Sequence, residues 1–276
     1  MSAKNSKTVD LARYCARIGY AGPLEPTSAT LAGLIEHHIA KIPFENIDIL
    51  LERGIDLSPA AVDAKLIGRG RGGYCFEQNG LFKRVLGAIG FHVESLAARV
   101  LWMAPTNAPP HPRTHMALRV TLDGAPWLAD VGFGGGGPTS PLSLAETAPQ
   151  ATRHEPFRVV PRGAGVIVEA EFDGTWHALY DLSLEPLLDV DHVPSNWYTS
   201  THPASPFRRA LMVARATDDT RYALLNRRLT VRRQSGPVER RNLDAGELER
   251  TLTDTFGLPV EPEWRPLLQR IAAPAG

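Results

Sequence analysis

The period of the hydrophobic pattern changes at Phe91, and this change limits the fold more than any other feature of the chain. Before it, apolar residues recur at helical spacing. Val9, Leu11, Tyr14, Cys15 and Ile18 predict a helix over 8–19, broken by Gly22-Pro23. Leu31, Leu34, Ile35 and Ile39 predict a second over 28–41, with Thr27 or Ser28 as N-cap. His37 and His38 near its end suit a hydrogen-bonding or cationic role better than metal binding. Ser58-Pro59 opens a third helix carrying Val62, Leu66 and Ile67, which Gly68-Arg69-Gly70 ends. After Phe91 the pattern alternates or runs apolar over 91–103, 115–122 and 126–131. Asp123-Gly124 is a hairpin signal between the last two. Strands over 157–182 are separated by Gly163-Ala164-Gly165 and Asp173-Gly174, so the middle of the chain reads as an antiparallel sheet or barrel. Helices followed by strands place the chain in the α+β class.

The remaining stretches are less regular. Four prolines make 104–113 a loop. Residues 191–207 form an aromatic, hydroxyl-rich crossing segment. Strand-like pieces follow at 209–215, 221–225 and 228–234, and Asp244 with Glu247 forms a capping box ahead of a final helix over 245–256. Basic residues gather at Arg227, Arg228, Arg232, Arg233, Arg240 and Arg241, as a solvated strand face or a surface for a phosphorylated ligand.

Length and charge exclude several functions. At 276 residues the chain is long for one core, which suggests two or three subdomains. Its formal net charge of +0 gives no bulk electrostatic case for nucleic acid or an anionic membrane. No run of about 18 apolar residues marks a membrane span. The start, Met1-Ser2-Ala3-Lys4, leads into a charged amphipathic stretch, not an apolar signal core. The two cysteines, Cys15 and Cys75, are too few for a disulfide scaffold, and a reducing cytoplasm fits them. There is no CxxC or HExxH, so no metal site is expected.

Cys75 carries the chemistry. Arg71-Gly72-Gly73-Tyr74 leads into it, and Phe76, Leu81, Phe82, Val85, Leu86 and Ile89 follow at helical spacing. Cys75 therefore stands at a helix N-terminus, where free N–H groups and the helix dipole favour thiolate over thiol. A lone cysteine is more often a small buried apolar residue, but this setting suits a nucleophile. Such a nucleophile needs a base, and the base needs an orienting carboxylate. His115 and Asp130 fit, because a turn at Asp123-Gly124 puts them at the same end of one hairpin. Asp130 lies in an otherwise apolar strand, and Glu45 lies between apolar residues. Buried carboxylates need partners, and Arg71 is a candidate for Glu45. The glycine run Gly134–Gly137 is a flexible turn or a point of close backbone approach to a ligand, without the Lys and Ser/Thr of a P-loop.

Ile42-Pro43-Phe44-Glu45-Asn46, Arg71-Gly72-Gly73-Tyr74-Cys75-Phe76-Glu77-Gln78-Asn79, Thr114-His115-Met116 and Asp130-Val131-Gly132-Phe133-Gly134 together resemble the arylamine N-acetyltransferase family. The resemblance covers almost the whole chain. It implies an N-terminal helical bundle over 1–90 carrying Cys75, a central antiparallel β-barrel over 91–200 carrying His115 and Asp130, and a C-terminal α/β lid over 201–276. The core would be cysteine-protease-like, with Cys75, His115 and Asp130 as the triad. It further implies that Phe44, Phe133, Gly132 and Gly134 line the substrate pocket and that Glu45 and Arg71 form a structural ion pair. The implied reaction moves acetyl from acetyl-CoA, a substrate and not a resident cofactor, through a Cys75 thioester to an arylamine, arylhydroxylamine or hydrazine. The implied partners are these small molecules, with the chain a monomer or homodimer in the cytoplasm. A cysteine protease or transglutaminase would use the same residue order, and a non-catalytic small-molecule binder would keep the same fold.

Overall fold

A computed structural model describes residues 9–105 and 109–273. Part of the predicted loop 104–113, residues 106–108, lies outside the described residues. The first predicted helix is α1 (Leu11–Ile18), where Asp10 accepts from Arg13 N at 3.0 Å. The second is α2 (Ser28–Lys41), capped by Thr27, with Leu31, Leu34 and Ile35 in the core.

His38 is buried on the inner face of α2, between Tyr14 Oη (2.8 Å) and Gln78 Oε1 (2.7 Å). One neutral tautomer satisfies both bonds: Tyr14 donates to Nδ1 and Nε2 donates to Gln78. Burial lowers the His38 pKa from 6.5 to about 4, against the Gln78 bond. An unfolded chain takes up this proton near 6.5 and the folded chain only near 4. The stability that neutral His38 contributes is therefore fully present above 6.5 and is lost as pH falls through that window. Urea unfolding at pH 7 and pH 4.5 should show the wild type losing about 2 to 3 kcal/mol more than His38→Gln. Equal losses would mean that His38 titrates normally.

Pro43 ends the second helical segment, and the chain then forms β1 (Phe44–Glu45) and α3 (Ile47–Leu50). Ser58 caps α4 (Pro59–Val62) as its sequence predicts. This helix does not continue as a regular one. It widens into a π-helical turn over Asp63–Gly68 that leaves Lys65 buried. Lys65 Nζ there lies 2.8 Å from both Asp48 and Glu77, a contact that apolar periodicity does not register. The cysteine helix is α5 (Cys75–Ile89).

Seven antiparallel strands follow: β2 (His92–Val100), β3 (His115–Leu122), β4 (Ala125–Ala129), β5 (Leu142–Ser143), β6 (Phe157–Arg162), β7 (Gly165–Phe172) and β8 (Thr175–Ser183). Their order is β5-β4-β3-β2-β8-β7-β6. The predicted hairpin joins β3 to β4, with Asp123 and Gly124 at φ 50° and 76°. Gln150 closes the sheet into a near-complete barrel. Its backbone pairs with Phe157 on β6, while its side chain exchanges hydrogen bonds of 2.7 and 2.9 Å with Ser143 on β5. Leu96, Phe157, Val168, Leu179 and Leu182 fill the interior.

The crossing segment 191–207 is largely helical, as α6 (His192–Thr201). Its hydroxyl-rich sequence hides the helix, because Thr199 and Ser200 return their hydroxyls to the carbonyls of Ser195 and Asn196. Strands β9 (Met212–Ala216), β10 (Thr220–Leu225) and β11 (Arg228–Arg233) match the predicted pieces, and β12 (Glu239–Asn242) is an unpredicted, exposed edge strand. Together with β1 they form a five-stranded sheet in the order β1-β9-β10-β11-β12. The capping box starts α7 (Ala245–Asp254), with Asp244 and Glu247 bonded reciprocally at 2.8 and 3.0 Å. This helix is not the last. α8 (Arg265–Ala272) follows, because Pro266 falls in its first turn, where the missing N–H costs nothing. Among the described residues no helix is long and apolar enough to cross a membrane.

Candidate active site

A buried ionic frame fixes the loop ahead of Cys75. Arg71 Nε and Nη2 donate to Glu45 Oε1 at 3.0 and 2.7 Å, and Nη2 also lies 3.2 Å from Asp48. Its guanidinium stacks over Trp264 at 4.4 Å. Glu45 spends its other oxygen on Ile47 N at 2.7 Å. The predicted Glu45–Arg71 pair is thus one edge of a network linking β1, α3, the cysteine loop and the C-terminal region. Gly72 allows the loop to close, since a Cβ there would lie 2.0 Å from the Pro43 carbonyl oxygen. Arg71→Met should destabilise the fold by about 3 to 5 kcal/mol, because Glu45 keeps its charge with only a backbone donor. Chemical denaturation measures this, and a change below about 1 kcal/mol would refute the frame.

Cys75 is the first residue of α5, and Tyr74 N donates to Glu77 Oε2 at 3.1 Å to hold the helix start. The N–H groups of the first turn have no carbonyl one turn back. Cys75 Sγ lies 3.7 Å from the Thr114 carbonyl oxygen. His115 opens β3, and Asp130 stands one residue past the end of β4. The sequence pattern carries the strand through Val131. Asp130 instead turns out of the ladder because its Oδ1 accepts from Gly132 N at 2.9 Å.

The structure brings Cys75, His115 and Asp130 together. His115 Nε2 lies 2.7 Å from Asp130 Oδ2, which leaves Nδ1 free of that carboxylate, and Cys75 neighbours the ring. All three are buried. Burial opposes an imidazolium at His115, but the Asp130 carboxylate outweighs it and, with neighbouring Cys75, raises the pKa to about 10. Burial likewise raises Asp130, yet His115, Asn79 and Gly132 N hold it below the usual carboxylate value. The ring is therefore built to carry a proton beside the Cys75 sulfur.

Gly132 lets the Asp130 loop reach α5. A Cβ at that position would lie 2.7 Å from Cys75 Cα. Phe133 meets the His115 ring edge-on at 5.2 Å between centroids. Gly134 rests against the Phe44 ring, and Phe44 in turn faces Phe207 at 6.1 Å. A crevice lined by Phe44, Phe133, Gly134, Ala214 and Arg221 reaches Asp130 but neither Cys75 nor His115, so it lies behind the reacting groups.

Several residues of the site received no role from the sequence. Asn79, one turn after Cys75, donates to Met116 O (2.7 Å) and Asp130 Oδ1 (2.9 Å) and accepts from Val131 N (3.0 Å). Its i+4 spacing from the cysteine was the available signal. Tyr180 packs on both His115 (5.0 Å) and Phe133 (5.1 Å). Tyr74 Oη bonds the Asn196 side chain, and Ser195 Oγ donates to Arg113 O at 3.0 Å, so α6 straps the cysteine loop. Buried Arg221 pairs with Glu155 at 2.6 Å and donates to the Gly137 carbonyl at 2.9 Å, which holds the glycine run against β10.

The N-acetyltransferase family pattern matches residues 27–265. An arylamine N-acetyltransferase of Mycobacterium tuberculosis is 44% identical over 255 residues, covering 91% of this chain and 90% of its own length. This chain belongs to the arylamine N-acetyltransferase family. The family member from Mycolicibacterium smegmatis is 43% identical over 256 residues, covering 91% of this chain and 93% of its own. The solved Mycobacterium marinum arylamine N-acetyltransferase in complex with CoA superposes with a TM-score of 0.90 at 42% identity, over 95% of this chain and 98% of that one. The helices, barrel and C-terminal α/β region described above are thus the arrangement of the arylamine N-acetyltransferases.

Proposed function

We infer that this chain transfers the acetyl group of acetyl-CoA to the nitrogen of arylamines, arylhydroxylamines or hydrazines, through a thioester on Cys75. One observation carries the assignment of roles. His115 is held by Asp130 at 2.7 Å and has Cys75, at a helix start, as a neighbour. In the first half-reaction the Cys75 thiolate attacks the acetyl carbonyl, and the CoA thiolate leaves and takes its proton from the His115 imidazolium. Backbone N–H groups of Cys75 and Phe76, at the open end of α5, are placed to hold the oxyanion. In the second half-reaction the amine nitrogen attacks the Cys75 thioester. His115 takes a proton from the attacking nitrogen, and Cys75 leaves as thiolate. Asp130 keeps the ring in one tautomer and supports its charge. Phe133 and Phe44, together with Gly132 and Gly134, would wall the acceptor ring. An arylamine suits this chemistry because it is unprotonated near neutrality, unlike an alkylamine with a pKa of about 10.

The division of labour is part of the reading: 1–90 carries the nucleophile, 91–200 the base and its carboxylate, and 201–276 a lid. Acetyl-CoA is a substrate, not a resident cofactor, and a cytoplasmic location matches its supply. Intact-protein mass after incubation with acetyl-CoA alone tests the proposal. One acetyl group on Cys75, lost when an arylamine is added, is expected. No acetylation under conditions where Cys75 still reacts with iodoacetamide would overturn it.

A further inference from the structure

We propose that Gln78 is a positioning residue for acyl transfer to Cys75. It ends a buried relay, Tyr14–His38–Gln78, that fixes the backbone ahead of Cys75 and so aims the Cys75 N–H at the developing oxyanion. This rests on the acetyltransferase reading and goes beyond it, because the relay starts on α1, outside the triad.

The carbonyl of Gly73 sets the direction of the whole relay. A carbonyl only accepts, so the Gln78 atom 3.1 Å from it is the amide Nε2, as donor. That leaves Oε1 to accept from His38 Nε2 at 2.7 Å. Neutral His38 then carries its proton on Nε2, and its Nδ1 accepts from Tyr14 Oη at 2.8 Å. Each donor in the relay thus points towards the cysteine loop. Tyr14, His38 and Gln78 are at most 1% exposed, which shields these bonds from solvent and strengthens them. The His38 ring is itself held, with Phe82 edge-on at 5.4 Å and Tyr14 at 5.9 Å between centroids. A glutamine side chain has much rotamer freedom to lose, and here the His38 bond from α2 leaves its amide one orientation.

The peptide that receives this hydrogen bond is held at both of its polar ends. Its carbonyl, on Gly73, also accepts from Glu45 N at 3.1 Å. Its N–H, on Tyr74, donates to Glu77 Oε2 at 3.1 Å. The next peptide joins Tyr74 to Cys75. Its carbonyl accepts from Gln78 N at 3.0 Å, at the start of α5. The N–H of Cys75 is trans to that carbonyl and so points out of the open end of the helix. Gln78 therefore holds both peptides that precede Cys75, one by its side chain and one by its backbone. The Glu45–Arg71 frame steadies the same loop from β1, and the relay steadies it from α1 and α2. An oxyanion donor is effective only if it stands in place before charge develops, and a misplacement of ~1 Å costs about 100-fold in rate.

The test compares two reactions of Cys75 in the full-length protein. Acetylation by acetyl-CoA passes through an oxyanion. Alkylation by iodoacetamide does not, because the thiolate displaces iodide from carbon in one step. In Gln78→Met, which has similar length but no donor, single-turnover acetylation at saturating acetyl-CoA should slow about 10- to 100-fold, with half-saturation unchanged. Alkylation should keep its wild-type rate. Gln78→Glu, assayed above neutral pH, keeps an acceptor for His38 but sets a carboxylate where the Gly73 carbonyl needs a donor, so it should slow to a similar degree. Melting curves establish which variants are folded at the assay temperature. An unchanged acetylation rate in either folded variant would overturn the proposal. Equal losses of acetylation and alkylation would overturn it too, because Gln78 would then support the thiolate or the fold and not the oxyanion donors. Failure of both variants to fold would likewise assign Gln78 to the fold alone. A wild-type protein that is alkylated at Cys75 but never acetylated would overturn the acetyltransferase reading itself.

Discussion

Cys75→Ala should lower turnover with acetyl-CoA and an arylamine about a million-fold, to the level of the uncatalysed reaction, while the protein stays folded. The size follows from the two-step route. Without sulfur no thioester forms, and nothing in the site replaces the covalent step that divides the transfer. Cys15 cannot substitute, because it belongs to α1 and not to the His115–Asp130 pair, and burial pushes its thiol up. The fold should survive because the sulfur's hydrogen bond to Thr114 O is long, 3.7 Å, and its removal leaves a small cavity worth about 1 to 2 kcal/mol. Activity should be read together with a melting curve. Substantial turnover by a folded Cys75→Ala protein would place the nucleophile elsewhere and end the thioester reading.

Asp130→Asn should slow acetylation of Cys75 about 10,000-fold with little change in acetyl-CoA binding. The geometry dictates which way the new amide turns. Oδ1 of Asp130 receives two donors, Asn79 Nδ2 and Gly132 N, both at 2.9 Å. An asparagine must keep its oxygen in that position, so its NH2 group points at His115. Nε2 of His115 then becomes an acceptor, and the ring proton moves to Nδ1, the other ring nitrogen. An imidazole in that tautomer cannot take the thiol proton, and no carboxylate remains to support an imidazolium. Single-turnover acetylation rates separate this effect from binding. A near-wild-type rate would remove Asp130 from the mechanism and leave it as a packing residue.

The same two residues mark how far the chain can be read without coordinates. The strand pattern carried Asp130 inside β4, whereas the acid leaves the ladder to bond Gly132, since local side-chain bonding competes with strand pairing. Hydroxyls bonded to carbonyls one turn back hid α6, and Pro266 in its first turn masked α8. In each case a local hydrogen bond or terminus geometry outweighed the hydrophobic pattern.

Local order was legible in the amino acids. Apolar period placed α1, α2, α5 and most strands, cap residues marked α2, α4 and α7, and Asp123-Gly124 joined β3 to β4 with His115 and Asp130 at one end. Those signals act within a few residues, where backbone sterics and side-chain spacing decide the outcome. Other features depend on residues far apart in the chain. Phe44 and Glu45 pair with Ala214 and Val213, Arg221 reaches the glycine run, Tyr180 packs on His115, and Lys65 becomes the buried counter-charge of Asp48 and Glu77. No periodicity encodes such contacts. They form because the packed chain has to neutralise and hydrogen-bond every charge that its core encloses.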